Sequence, residues 1–125
     1  MRALIVDDSS TMRAVLRMTL RGAGIETLEA GDGAAALQQL EQCGAVEFAL
    51  VDWNMPRMNG LEFLCAVRAD HAHDTMKVVM VTTETELEQV QNALSRGADE
   101  YIMKPFTRDS VIEKLQILGL VPQAV

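Results

Sequence analysis

Residues 48–60 read Phe48-Ala49-Leu50-Val51-Asp52-Trp53-Asn54-Met55-Pro56-Arg57-Met58-Asn59-Gly60. Four apolar residues in unbroken succession are too short for a buried helix and lack the polar alternation of a half-exposed strand. They predict a strand covered on both faces, as in the middle of a parallel sheet. The run ends on a carboxylate, followed by turn residues and then by an apolar helical pattern over Leu61 to Ala69.

The same unit, a short β-rich run followed by a longer helical pattern, recurs on either side. Strand patterns cover Ala3 to Val6, Glu26 to Ala30, Lys77 to Thr82 and Glu100 to Met103. Helical patterns cover Ser10 to Arg21, Gly33 to Gln42, Glu84 to Arg96 and Thr107 to Leu118. Five alternating pairs predict an α/β domain with a doubly wound five-stranded parallel sheet and helices on both faces. The runs at Ala3, Phe48 and Lys77 are the most continuously apolar and are expected to be central. Gly22, Gly24, Gly44 and Gly97 punctuate helix ends.

A length of 125 residues suits a single domain over 1–125. With 49% hydrophobic and only 4% aromatic residues, the core must be aliphatic and methionine-rich. A net charge of -7 argues against nucleic acid and anionic membranes as partners. Cys43 and Cys65 lack metal-ligand spacing and read as reduced thiols. No apolar run approaches a membrane span and no signal peptide is evident, so a cytoplasmic location is expected.

In a doubly wound sheet the ligand site lies beyond the carboxyl ends of the strands. Asp7 and Asp8 follow the first strand pattern and Asp52 ends the third, so three carboxylates should meet at one edge. Such a cluster repels itself unless a hard cation is present, and Mg²⁺ binds through one or two carboxylates, waters and phosphate oxygens. Thr82 ends the fourth strand pattern and Lys104-Pro105 follows the fifth, adding a hydroxyl donor and an ammonium suited to a phosphoryl anion. Asp52 is then the candidate nucleophile, because carboxylates can form aspartyl phosphates. Read singly, Asp7 and Asp8 would be turn or capping residues, and Thr82 and Lys104 ordinary strand and loop residues. The constellation is what raises them.

Four stretches, Val6-Asp7-Asp8-Ser9-Ser10-Thr11-Met12-Arg13, Asp52-Trp53-Asn54-Met55-Pro56 with Asn59-Gly60, Met80-Val81-Thr82, and Lys104-Pro105-Phe106-Thr107, resemble the receiver domains of bacterial two-component response regulators. The resemblance covers essentially the whole chain and has its nearest analogy in chemotaxis signalling. It implies the flavodoxin-like strand order 2-1-3-4-5 and a single-domain response regulator phosphorylated on Asp52 by a histidine kinase. It further implies Mg²⁺ held by Asp8, Asp52 and the Asn54 main-chain carbonyl, with Asp7 acting through water, and phosphoryl contacts from Lys104 and Thr82.

Thr82 and Tyr101 would be the switch pair, and Asn54 and Glu84 the positions that tune phosphoryl lifetime, here toward fast self-catalysed hydrolysis. Leu87, Val90, Gln91, Leu94, Tyr101 and Met103 would form the face offered to a downstream protein. That helix opens Glu84-Thr85-Glu86-Leu87-Glu88, where family members that bind the flagellar motor carry basic residues, which argues against motor binding. A monomer is expected, with a phosphorylation-dependent dimer as the alternative. A Mg²⁺-dependent phosphohydrolase is the rival from another class, but such enzymes usually place an aspartate where this chain has Asn54. A phosphorylation-independent binding module is the third reading. Trp53 is expected to pack beside the site, and His71 and His73 to lie in a polar loop without a role.

Overall fold

The computed structural model describes residues 1–83 and 87–122. Five strands, β1 (Arg2–Val6), β2 (Glu26–Ala30), β3 (Phe48–Asp52), β4 (Lys77–Thr83) and β5 (Glu100–Lys104), alternate with α1 (Ser10–Gly22), α2 (Gly33–Cys43), α3 (Gly60–Arg68), α4 (Leu87–Ser95) and α5 (Arg108–Ile117). All neighbouring strands are parallel and their order is β2-β1-β3-β4-β5, so the three apolar runs are central as expected.

Side chains on a strand alternate between faces, and each face builds its own core. Leu4, Val6, Ala49, Val51, Val78 and Met80 pack against Ala36 and Leu40 of α2, Phe63, Leu64 and Val67 of α3, and Ala93 of α4. On the other face Ala3, Ile5, Phe48, Leu50, Val79, Val81 and Ile102 pack against Leu16 and Leu20 of α1 and Val111 and Leu115 of α5. Every residue of β3 is buried, which is what a double-sided apolar run requires.

Helix starts follow local chemistry. Ser9, Asp32, Asn59 and Thr107 each cap a helix, and the last two form reciprocal boxes with Glu62 and Ser110. The Gly44 cap of α2 stands at φ 77°, a conformation a side chain would resist.

The differences from the sequence reading lie at boundaries. The fourth helix is described from Leu87, and residues 84–86, including Glu84, lie outside the described residues, so its expected start at Glu84 is not tested. His71–His73 form a single 3-10 turn rather than a plain loop, because Asp70 caps it by accepting from the Ala72 N–H. His71 pairs with Asp74 at 3.1 Å. Cys43 and Cys65 are free thiols.

Candidate phosphoacceptor and cation site

The carboxyl ends of β1 and β3 bring Asp7, Asp8 and Asp52 together, with one oxygen from each lying within 4.8 Å of the others. The backbone dictates this meeting. Val6 is registered with Val51, so the residues that follow each strand emerge side by side. Asp7 is 1% exposed and Asp52 8%, whereas Asp8 faces solvent.

Asp7 is held by both its ends. Its N–H donates to the Ala30 carbonyl at 3.1 Å, and its carbonyl accepts from Arg13 Nη1 at 2.6 Å. Its Oδ1 accepts the Ser9 N–H at 2.9 Å, while Oδ2 is buried with no hydrogen-bond partner. The nearest cation to that oxygen, Lys104 Nζ, is 3.6 Å away, too far for a good hydrogen bond.

Lys104 closes β5 and reaches across β4, donating from Nζ to Asp52 Oδ1 at 3.0 Å. Burial pushes the Asp52 carboxyl above its ordinary value, the Asp7 and Asp8 charges push the same way, and the Lys104 hydrogen bond only partly opposes them. Burial works against the Lys104 ammonium, yet the hydrogen bond and charge of Asp52, joined by Asp7, outweigh it and raise its pKa. The Lys104-Pro105 peptide is cis.

Thr82 is fully buried near the end of β4, one position beyond Val81, the registered partner of Asp52. Its hydroxyl lies 3.3 Å from the Thr83 carbonyl, to which it donates. Trp53 is buried beside the site in the core of the α3 face, as expected. Asn54 is exposed on the loop that follows β3.

These donors fit a hard divalent cation. The three carboxylates supply only oxygen, and the orphaned Asp7 Oδ2 is a buried carboxylate atom that a cation or its bound water would satisfy.

The expected switch and partner residues divide. Tyr101 is half-buried on β5, packed against the α3-side core, with Lys114 Nζ 4.6 Å from its ring centroid. Gln91, Leu94 and Met103 are exposed. Val90 is a correction: at 5% exposure it faces inward with Ala93, its neighbour three residues on, so it supports the face from beneath and does not form it.

Two features of the site escaped the sequence reading. Gly60, the first residue of α3, passes so close to the chain at Asp52 that a Cβ there would strike the Asp52 carbonyl oxygen. Its place just after the Asn59 cap was the available signal. Arg13, on the first turns of α1, grips the Asp7 carbonyl and pairs with Glu29 at 3.3 Å. The family-like stretch includes it, but nothing in the sequence assigns it this contact.

Comparison with known proteins agrees with this geometry. The family model described as response regulator receiver domain matches residues 3–116. The chain is 45% identical to a chemotaxis protein CheY homolog of Campylobacter jejuni over 95% of this chain and 93% of that protein. It is 42% identical to chemotaxis protein CheY1 of Helicobacter pylori over 94% and 96%. Among solved structures, the chemotaxis response regulator CheY4 of Vibrio cholerae superposes with a TM-score of 0.86 at 36% identity, covering 94% of this chain and 97% of that one.

Proposed function

The chain belongs to the response regulator receiver domain family, and from that premise we propose that it is a single-domain switch phosphorylated on Asp52 by a histidine kinase. The observation that carries the reading is the pairing of a buried Asp52 with Lys104 at 3.0 Å inside a cluster of three carboxylates. In the reaction an Asp52 carboxylate oxygen attacks the phosphorus of a phosphohistidine. The P–N bond breaks, the imidazole leaves with its electron pair and takes up a proton, and an acyl phosphate forms on Asp52.

Asp7, Asp8, Asp52 and the Asn54 main-chain carbonyl would hold Mg²⁺. When bound, the ion supplies positive charge to the phosphoryl oxygens and relieves the repulsion among the carboxylates. Lys104 trades one anion for another, exchanging its Asp52 contact for a phosphoryl oxygen. The Thr82 hydroxyl is the second donor on that edge.

Switching requires a contact that exists in only one state, since equal affinity for both shifts nothing. A Thr82-to-phosphoryl hydrogen bond is that contact, and Tyr101, on the strand beside β4, is the aromatic that responds. The surface altered comprises Gln91 and Leu94 on α4 and Tyr101 and Met103 on β5, with Val90 as its support; the side chain of Leu87, the other residue expected there, lies outside the described part of the structure. Asn54 and Glu84 set the lifetime, favouring rapid self-catalysed hydrolysis. The chemotaxis names of the relatives support a chemotaxis or motility pathway and a cytoplasmic location; among the described residues no helix is long and apolar enough to cross a membrane.

The test is Trp53 fluorescence and intact mass during addition of Mg²⁺ and then acetyl phosphate, on wild type and Asp52→Asn. The expected result is a Mg²⁺-dependent signal in wild type, with gain of one phosphoryl group that the variant lacks. Phosphoryl gain in the variant, or none in wild type, would overturn the assignment. A phosphoryl half-life of hours would overturn the fast-hydrolysis reading alone.

A further inference from the structure

The loop leaving Asp52 is tied at its far end to the start of α2. Arg57 Nε donates to Asp32 Oδ2 at 2.9 Å. The next residue joins in: the Gly33 N–H donates to the Met58 carbonyl at 3.1 Å. The Met58 side chain lies so closely over Gly33 that a Cβ there would come within 2.7 Å of Met58 Cγ.

Arg57 is the one non-glycine among the described residues with positive φ, 63°. That conformation is unfavourable for a side chain and persists where surrounding contacts impose it. Asp32 is positioned independently of Arg57, because it is 6% exposed and its Oδ1 accepts the Ala35 N–H at 2.8 Å as the α2 cap. The exposed arginine is therefore recruited by a fixed, buried carboxylate.

The near end of the loop is anchored as well. The Trp53 N–H donates to the Val81 carbonyl at 3.1 Å, and the Gly60 N–H to the Trp53 carbonyl at 3.0 Å. Asn54 lies between these two sets of anchors and carries the only non-carboxylate donor of the proposed cation site. Mg²⁺ demands near-octahedral geometry, so its affinity is sensitive to how firmly such a carbonyl is presented.

We propose that Asp32 and Arg57 are positioning residues for the cation site, their ion pair and the Gly33–Met58 contacts forming a clasp that sets the conformation of residues 53–59. This inference rests on the reading of Asp7, Asp8, Asp52 and Asn54 as that site.

The experiment is a Mg²⁺ titration followed by Trp53 fluorescence on wild type, Arg57→Ala, Arg57→Gly, Arg57→Lys, Asp32→Asn and the double variant Asp32→Asn/Arg57→Ala. Urea unfolding in EDTA is run beside it. Asp32→Asn keeps a capping oxygen and removes the charge, and Arg57→Gly removes the guanidinium while relieving the backbone. Arg57→Ala, Arg57→Gly and Asp32→Asn are each expected to weaken Mg²⁺ binding about tenfold, with unfolding midpoints close to wild type. Arg57→Lys should recover most of the affinity, and the double variant should be no weaker than either single, as for one shared interaction.

Wild-type affinity in both Arg57→Ala and Asp32→Asn overturns the clasp. Wild type that ignores Mg²⁺ overturns the site reading itself. The clasp is then judged by amide exchange at Gly33 in metal-free protein: faster exchange in Arg57→Ala upholds it, and unchanged protection overturns it.

Discussion

Lys104 Nζ lies 3.0 Å from Asp52 Oδ1 and 3.6 Å from Asp7 Oδ2, so one ammonium from the end of β5 is shared by carboxylates delivered from β3 and β1. The sharing is unequal. Asp52 receives the hydrogen bond, and Asp7 only the longer-range charge.

That inequality still leaves Asp52 with a raised pKa, burial being the largest cause and Asp7 and Asp8 adding to it. A folded pKa above the unfolded value means the native state binds the proton more tightly. The stability from this group is therefore present below about the ordinary carboxylate value and is lost as pH rises through the folded value. At pH 7 in EDTA, Asp52→Asn is expected to melt at higher temperature than wild type. The gap should narrow as pH falls toward 4, and Mg²⁺ should stabilise wild type more than the variant. Thermal denaturation with and without metal reads all three, and a variant less stable at pH 7 in EDTA would mean that the Lys104 pair dominates.

Gly60 packs where no other residue fits. A Cβ would strike the Asp52 carbonyl oxygen and stand 3.1 Å from Trp53 Cα, both backbone atoms that cannot step aside. Gly60→Ala is expected to lose about 2–3 kcal/mol in urea unfolding. It should also blunt the Trp53 response to Mg²⁺, because the atoms displaced belong to the proposed phosphoacceptor Asp52 and to Trp53 itself. A loss below about 0.5 kcal/mol, ordinary for a surface change, would contradict the close approach.

Arg68 works at the opposite end of the sheet. Its guanidinium donates to the carbonyls of Gly97 at 2.9 Å, His73 at 3.1 Å and Met76 at 2.8 Å, and to Asp99 Oδ2 at 3.0 Å. It thereby ties α3 to the turns before β4 and β5. Arg68→Ala should cost about 2–3 kcal/mol in urea unfolding, the sum of several modest hydrogen bonds. Phosphoryl incorporation by the folded fraction should be unchanged, and a selective loss of incorporation would refute the purely structural role.

Lys114 reaches from α5 to place Nζ 4.6 Å from the Tyr101 ring centroid while pairing with Glu100 at 3.2 Å. A cation over the ring favours this ring position by about 0.5–1 kcal/mol at a partly exposed site. Lys114→Ala is expected to loosen it. Because Tyr101 is the single tyrosine, incorporation of 3-fluorotyrosine yields one fluorine resonance. Its line should broaden or shift in Lys114→Ala toward the position that phosphorylation induces in wild type. An unmoved line would show that the ammonium does not hold the ring.

Apolar continuity made β1, β3 and β4 legible as central strands, because a strand buried on both faces is apolar along most of its length, with polar residues confined to its ends. The carboxylates were legible for a related reason: Asp7, Asp8 and Asp52 interrupt apolar runs at strand ends, where a parallel sheet gathers its ligands. Strand order came from family resemblance, since periodicity says which strands are buried and not which are neighbours. What only the tertiary structure decided was contact between side chains distant in sequence. Val90 carries the apolar signature of both a core and a docking surface, and only packing placed it in the core. Arg57 and Asp32 look like any loop cation and helix cap, and their pairing depends on α2 and the β3–α3 loop arriving at the same place. Local patterns encode burial and hydrogen-bonding needs residue by residue. Which partner meets each need is set by the path of the whole chain.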